Sequence, residues 1–222
     1  MKGKISASMM CANLVDLSST IKIFEETNVD FLHIDVMDGE FVPNFGLGVD
    51  YIRGLRELTN IPLDIHMMVN NPERKLSFLG LRKSDMVSIH YESTPQVQRA
   101  IDILKSYDCK CYLAINPSTP IWVLEEVLDY IDGVNLLMVN PGFAGQKIVP
   151  STLHKAEKLN EFLIEHNRKN ISIEVDGNIT IGNAKLLKNR GANIFVAGTS
   201  SIFSGEKTLY ETNINNLKAA IE

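Results

Sequence analysis

The sequence predicts a (β/α)8 barrel, a closed barrel of eight parallel β-strands surrounded by helices. Eight short apolar runs rich in β-branched residues recur along the chain, at 4–9, 30–35, 61–66, 85–90, 109–115, 134–140, 171–176 and 193–197. Many are almost continuously apolar, such as LLMV at 136–139, as expected where helices cover both sides of a parallel sheet. An open, doubly wound sheet is the competing arrangement, but eight repeats within 222 residues favour the closed barrel.

Helices are predicted between most of these strands, from polar stretches whose apolar residues recur with helical spacing. The segments 17–28, 95–107 and 119–131 are the examples after the first, fourth and fifth strands. No linker rich in proline, glycine or serine and no shift in composition divides the chain. We therefore expect a single domain over residues 1–222.

Composition and charge exclude several classes of partner. The net charge of -5 gives no basic surface for nucleic acid. The amino terminus lacks a leader pattern, and no stretch approaches the roughly 20 apolar residues that span a bilayer. We expect a cytoplasmic protein with no membrane partner.

The three cysteines are Cys11, Cys109 and Cys111, an odd number that leaves one unpaired in any disulfide scheme. A C-x-C pair on one strand is poorly placed to bridge itself, and no second cysteine pair exists to complete a metal site with it. We expect reduced thiols within a core.

Polar residues lie at the predicted carboxyl ends of the strands, where barrels of this kind carry their chemistry. These residues are Ser8, His33 with Asp35, His66, His90, Asn116, Asn140, Asp176, and Gly198 with Thr199. The other two histidines, His154 and His166, fall in a polar helical segment and are expected at the surface. The pattern predicts a polar site on one rim of the barrel.

Four of these residues form a candidate metal and acid/base site. His33 and Asp35 are two apart on one strand, so their side chains point the same way, about 6.6 Å apart. With His66 and Asp176 they supply two imidazoles and two carboxylates, a set suited to Zn²⁺, Mn²⁺, Fe²⁺ or Co²⁺. A single buried histidine or aspartate is usually only hydrogen-bonded, but four at strand ends favour a site. Asp64, two residues deeper in its strand than His66, is expected to support this set or to have a purely structural role, and Asp38 is expected to form a turn or a cap.

Glycine-rich turns follow the last three strands, and the turns after strands seven and eight are where this fold commonly binds phosphate. They are NPGFAGQ at 140–146, DGN at 176–178 and GTS at 198–200. No lysine or arginine ends a strand here, so backbone N–H groups and hydroxyls would hold the anion. The same absence argues against a Schiff-base aldolase.

These motifs together resemble the ribulose-phosphate 3-epimerase family over nearly the whole chain. The resemblance is carried by the Ser8 strand, HIDVMDGEFVPN at 33–44, LDIHMMV at 63–69, NPSTP at 116–120, NPGFAGQ at 140–146, EVDGN at 174–178 and GANIFVAGTSSIF at 191–203. It implies a (β/α)8 barrel that binds one divalent metal ion per subunit, with Zn²⁺ expected ahead of Fe²⁺, Mn²⁺ and Co²⁺. It also implies that Asp35 and Asp176, on opposite faces of the substrate, remove and return the proton at C3 through an enediolate.

The resemblance further implies which residues contact a small phosphorylated ketose. The implied contacts are Ser8, His66, Met37, Met68, Gly142, Phe143, Ala144, Gly145, Asp176, Gly177, Asn178, Gly198 and Thr199. A homo-oligomer, dimer or hexamer, and a role in the pentose phosphate pathway are expected on the same basis.

Several positions around the predicted phosphate end depart from the family pattern. Leu137 replaces a methionine, Asn178 and Ala144 replace glycines, Thr199-Ser200 replaces Ser-Ala, and Cys11 replaces serine. Several of these departures resemble the D-allulose-6-phosphate 3-epimerase branch, so the six-carbon reaction to D-fructose 6-phosphate is an alternative to the five-carbon one.

Two other functions are less well supported by the residues. A phosphate-binding decarboxylase barrel depends on a lysine among its catalytic acids, and the strand HIDVMDG has none. A catalytically silent sugar-phosphate-binding barrel would be indicated by loss of Asp35 or Asp176, and both are present. The breadth of the resembling family favours epimerisation of D-ribulose 5-phosphate to D-xylulose 5-phosphate, with the six-carbon reaction kept as the alternative.

Overall fold

The protein forms a closed barrel in which eight parallel strands follow one another in sequence order and the last pairs with the first. The computed structural model describes residues 2–222. Its strands are β1 Lys4–Ser8, β2 Phe31–Met37, β3 Leu63–Met68, β4 Met86–His90, β5 Lys110–Ile115, β6 Gly133–Leu137, β7 Ser172–Asp176 and β8 Ile194–Ala197. All eight predicted strands are present, and the predicted fold class is confirmed.

Among the described residues, six α-helices cover the outside of the barrel. They are α1 Leu17–Glu26, α2 Val49–Leu58, α3 Val97–Lys105, α4 Pro150–Glu165, α5 Ile181–Asn189 and α6 Tyr210–Ile221. Their apolar faces pack on the outward faces of the strands, and Phe24 of α1 and Leu104 of α3 are completely buried there. Burial of each such side chain stabilises the fold by roughly 1.5–3 kcal/mol.

Two connections use 3₁₀ turns instead of an α-helix. Between β3 and β4 lie Pro72–Arg74 and Leu76–Phe78, and between β5 and β6 lies Ile121–Val127. The predicted helix over 119–131 is therefore wrong in type. Its buried side chains Leu124 and Val127 are three residues apart, a spacing that suits three residues per turn. Apolar periodicity over so short a segment did not separate the two helix types.

The barrel interior is arranged in layers, because alternate residues of each strand point inward. An apolar cluster of Met86, Tyr112 and Ile194, with Phe31 packed against it, closes the amino-terminal end. Above it lie buried polar side chains, among them Ser6, Asp64, Ser88, Asn135 and Glu174. The strand ends above this polar layer carry the candidate site.

Within residues 2–222, no helix is long and apolar enough to cross a membrane.

Candidate active site

The structure brings His33, Asp35, His66 and Asp176 together at the carboxyl ends of β2, β3 and β7. One nitrogen or oxygen atom from each lies within 4.8 Å of those of the other three. Asp35 and His66 are adjacent in the register of β2 and β3, which explains their approach. The predicted set of four residues therefore shares one location.

Two nitrogen atoms face the same two carboxylates. Nε2 of His33 lies 3.3 Å from Oδ1 of Asp35 and 3.6 Å from Oδ2 of Asp176. Nδ1 of His66 lies 3.3 and 3.4 Å from the same two oxygens. Two imidazole nitrogens and two carboxylate oxygens thus converge on one point, as the donors of a tetrahedral cation site would.

The donor set fits a cation by a second criterion. Nε2 of His33 is buried and has no hydrogen-bond partner among the described residues. Nδ1 of the same ring lies 2.6 Å from Oδ2 of Asp64, so that nitrogen carries a proton and Nε2 presents a lone pair when the ring is neutral. A buried unpaired nitrogen is costly unless something binds it.

The electrostatics of the site follow from burial and pairing. Burial alone would lower the pKa of His33, but the neighbouring carboxylates of Asp64 and Asp35 raise that pKa well above its ordinary value. Burial alone would raise the pKa of Asp35, but His33 and His66 hold it well below its usual range. Without a cation, the carboxylates therefore favour the protonated forms of His33 and His66, whose pKa values are both raised, and a bound cation would take over the neutralisation of that negative charge.

A polar layer beneath the site orients His33. Asp64 accepts a hydrogen bond from Oγ of Ser6 at 2.7 Å as well as its bond with His33. Glu174 is fully buried, and its Oε1 lies 3.7 Å from Nδ1 of His33. Burial, together with repulsion from Asp64, raises the pKa of Glu174 well above its ordinary value. Asp64 thus lies behind the candidate site, as expected, and Asp38 lies in a turn where it accepts bonds from the backbone of Glu40 and Phe41.

A pocket opens directly above Asp35 and Asp176. Of the predicted substrate contacts, it is lined by Ser8, Met37, Met68, Gly142, Phe143, Ala144, Gly145, Asp176, Gly177, Asn178, Gly198 and Thr199. His66 does not line it, because its side chain is fully buried beneath the pocket surface. The glycine-rich turns after β6, β7 and β8 therefore surround one cavity with the two carboxylates at its floor.

Several pocket residues were not predicted. They include Met10, Val139 and Ile179. Met10 follows Ser8 closely in the turn Met9–Cys11, so its proximity in sequence was the available signal. The prediction that all three thiols lie in a core is wrong for Cys11, which is half-buried in the pocket wall and contacts Ser8 at 3.6 Å. The turn after β1 places it there, whereas Cys109 and Cys111 are buried.

The turns that form the pocket require unusual backbone geometry. Gly142 and Gly177 have φ of 114° and 108°, and a Cβ at Gly177 would lie 2.5 Å from Val139. Asn178 adopts φ of 52°, which asparagine tolerates, and its amide donates to Oγ of Ser200 at 3.2 Å. Asn44, from the turn after β2, donates through Nδ2 to the carbonyl of Gly142 at 2.7 Å. The covering loop is thus tied to the opposite side of the pocket.

The remaining histidines differ in position. His90 is buried beside His66, with their Nε2 atoms 2.8 Å apart. His154 is exposed on α4, as predicted, and His166 follows that helix half-exposed, with Nδ1 near the carbonyl of Phe162.

The chain is similar to known proteins in sequence and in fold. The model of the ribulose-phosphate 3 epimerase family matches residues 4–203. The chain is 38% identical over 197 residues to ribulose-phosphate 3-epimerase of Bacillus subtilis, covering 89% of this chain and 91% of that protein. It is 36% identical over 217 residues to the Methanocaldococcus jannaschii protein of the same name, covering 98% and 90%.

Structural neighbours share the barrel at low sequence identity. A 3-hexulose-6-phosphate synthase superposes with a TM-score of 0.67 at 14% identity, covering all of both chains. The Streptococcus mutans protein designated KGPDC gives 0.71 at 14% identity, covering all of this chain and 98% of its own. These neighbours establish the fold alone. With a family match over most of the chain and relatives above 30% identity, the chain belongs to the ribulose-phosphate 3-epimerase family and is an isomerase of the epimerase class.

Proposed function

We propose that the protein is a metal-dependent epimerase that interconverts D-ribulose 5-phosphate and D-xylulose 5-phosphate by inverting C3. The observation that carries the proposal is the convergence of Asp35 and Asp176 with two imidazoles at the floor of a glycine-lined pocket. The names of the relatives from Bacillus subtilis and Methanocaldococcus jannaschii support the five-carbon substrate. They give no support to the six-carbon alternative.

Four residues would hold the cation: His33 through Nε2, His66 through Nδ1, and the carboxylates of Asp35 and Asp176. Their mutual distances and the unpaired Nε2 of His33 support this assignment. Zn²⁺ suits two nitrogen and two oxygen donors, and Fe²⁺, Mn²⁺ and Co²⁺ suit them as well. When bound, the cation supplies Lewis-acid stabilisation of the negative charge that develops on the ketose oxygens.

The two carboxylates would divide the proton transfers at C3. One removes the proton from C3, leaving its electron pair in the enediolate, and the other donates a proton to the opposite face of C3. Two acids are required because a single one returns its proton to the face from which it came. Both carboxylates line the pocket, and each would alternate between its ionised and protonated forms during the reaction.

The rest of the pocket would bind and enclose the substrate. Backbone N–H groups of the turns at 177–178 and 198–200, with the hydroxyls of Thr199 and Ser200, suit a phosphate without a lysine or arginine. Met37 and Met68 are buried apolar side chains beside the carboxylates, where they would exclude water from the enediolate. This division places the sugar carbons over the aspartates and the phosphate at the glycine turns.

A substrate profile on metal-reconstituted protein tests the proposal. D-Ribulose 5-phosphate should give a higher kcat/KM than D-allulose 6-phosphate, and chelation should abolish turnover until a divalent cation is restored. Equal values for the two sugars would contradict the proposed specificity. Full activity of protein shown to be free of metal would contradict the metal dependence.

A further inference from the structure

A chain of polar side chains runs outward from the buried His66 and His90 to Glu92 and the turn after β5. Nε2 of His66 lies 2.8 Å from Nε2 of His90, and the two ring planes are inclined by only 23° with centroids 5.0 Å apart, so the rings meet edge to edge through these nitrogens. Nδ1 of His90 lies 3.2 Å from Oε2 of Glu92. Both imidazoles are completely buried, so their ring nitrogens depend on protein groups for hydrogen bonds.

The outer end of this chain is fixed by hydrogen-bond donors. Oε1 of Glu92 accepts from the backbone N–H of Asn116 at 2.9 Å and from the hydroxyl of Thr119. Lys155 donates to the carbonyl oxygens of Asn116 at 2.7 Å and Pro117 at 3.3 Å, which holds the turn in place. Oε1 is therefore occupied, and Oε2 is the oxygen that faces His90.

These contacts dictate the position of each proton. A carboxylate accepts only, so Nδ1 of His90 must carry a proton to donate to Glu92. Nε2 of a neutral His90 is then an acceptor, and two nitrogens 2.8 Å apart share one proton. That proton belongs to Nε2 of His66, which leaves the lone pair of neutral His66 on Nδ1.

Nδ1 is the nitrogen of His66 that faces Asp35 and Asp176. We infer that His90 and Glu92 are positioning residues that fix the tautomer and orientation of His66, so that Nδ1 is free to bind the cation. The inference rests on the proposed function for the cation itself. His33 is oriented from a different element, by Asp64 at its Nδ1. The two imidazoles thus present opposite ring nitrogens to one point because their supporting partners approach from different sides.

Glu92→Gln is the sharpest variant, because it changes one proton acceptor with little change in shape. The carbonyl oxygen of the glutamine must face the two donors at Asn116 and Thr119, which turns its NH₂ group toward His90. Nδ1 of His90 then becomes an acceptor, its proton moves to Nε2, and His66 is forced to carry its proton on Nδ1. Nδ1 of His66 would then carry a proton and have no lone pair for the cation.

The experiment compares wild type, Glu92→Gln and Glu125→Gln, by Zn²⁺ titration against a chromophoric chelator. Glu125 pairs with His166 at the surface, so Glu125→Gln makes the same change in a second glutamate–histidine pair. Glu92→Gln should bind Zn²⁺ about 10- to 100-fold more weakly than wild type. Glu125→Gln should match wild type. Equal affinity in all three proteins would overturn the inference.

Two further measurements separate positioning from loss of structure. Nitrogen-15 spectra of the metal-free proteins, at a pH where both imidazoles are neutral, should place the His66 proton on Nε2 in wild type and on Nδ1 in Glu92→Gln. The same tautomer in both would overturn the inference. His90→Gln keeps an acceptor for His66 and a donor for Glu92, so this variant should bind Zn²⁺ more tightly than Glu92→Gln. Weaker Zn²⁺ binding by His90→Gln than by Glu92→Gln would contradict the proposed hydrogen-bond chain from His66 to Glu92.

The same measurements distinguish a failure of the proposed cation site from a failure of the positioning role. If wild type binds no Zn²⁺, the cation site is refuted, and the spectra of the metal-free proteins still decide whether His90 and Glu92 set the tautomer of His66. If wild type binds Zn²⁺ and Glu92→Gln binds it equally well, the cation site stands and the positioning role is refuted.

Discussion

The floor and the rim of the pocket are built in different ways. The floor, as a group, consists of Asp35 and Asp176 with the buried imidazoles of His33 and His66 beneath them, at the ends of paired strands where neighbouring side chains fix each group. The rim consists of turns whose glycines adopt positive φ, and it exposes half of the Phe143 side chain. Strand ends hold groups in fixed positions, whereas turns can vary without disturbing the barrel. Under the proposed function, reaction chemistry would belong to the floor and recognition of the sugar phosphate to the rim.

The largest effect is expected from the floor. Asp35→Asn or Asp176→Asn should reduce epimerisation and exchange of the C3 proton with solvent by at least about 100-fold, since each removes an acid/base group. The circular dichroism spectrum should remain that of wild type. Asp50→Asn, on the exposed face of α2, is the matched control and should leave exchange unchanged. Wild-type exchange in both floor variants would contradict the two-carboxylate mechanism.

Cation binding to the floor should depend on pH. The carboxylates beside His33 and His66 raise the pKa of both rings against the opposing effect of burial, so the metal-free site holds protons that a cation must displace. The stabilisation that these protons give the metal-free fold is present at low pH and is lost as pH rises through the raised pKa values.

Zn²⁺ affinity should accordingly rise with pH until both imidazoles are neutral. Calorimetry in two buffers that differ in ionisation enthalpy should detect proton release on binding. Binding enthalpies that agree in the two buffers would show that the empty site holds no displaceable proton.

The smallest effect is expected from the rim. Asn44→Ala removes the hydrogen bond to the carbonyl of Gly142, worth about 1 kcal/mol, and should raise KM about fivefold with little change in kcat. Gln98→Ala, which removes an exposed contact with Asp102 on α3, is the control. A large fall in kcat without a change in KM would show that the rim takes part in chemistry and would remove the distinction between floor and rim.

The sequence predicted the floor more fully than the rim, for a physical reason. Spacing of two residues on a strand places His33 and Asp35 on one face, and parallel strand ends meet at one edge, so the four floor residues follow from local pattern. The bond from Asn44 to Gly142 joins turns 98 residues apart, and nothing local indicates it. The apolar spacing within 119–131 predicted a helix, but it did not show that residues 121–127 form a 3₁₀ helix instead of an α-helix.

The support around the floor was predicted only in part. Asp64 was expected behind the site because it lies two residues before His66, and it contacts His33. His90 was recognised as a strand end, but its pairing with His66 and Glu92 depends on ring orientation, which sequence does not contain. Residues that act through another side chain are found only when the side chains have been placed.

The central claim is that two different carboxylates serve the two faces of C3. The most direct test is a single turnover of D-ribulose 5-phosphate deuterated at C3, in ordinary water, with metal-reconstituted protein. If Asp35 and Asp176 act on opposite faces, the D-xylulose 5-phosphate formed should contain hydrogen from solvent at C3 and essentially no deuterium. Substantial deuterium retained at C3 of the product would show that one group both removes and returns the proton, and would contradict the account.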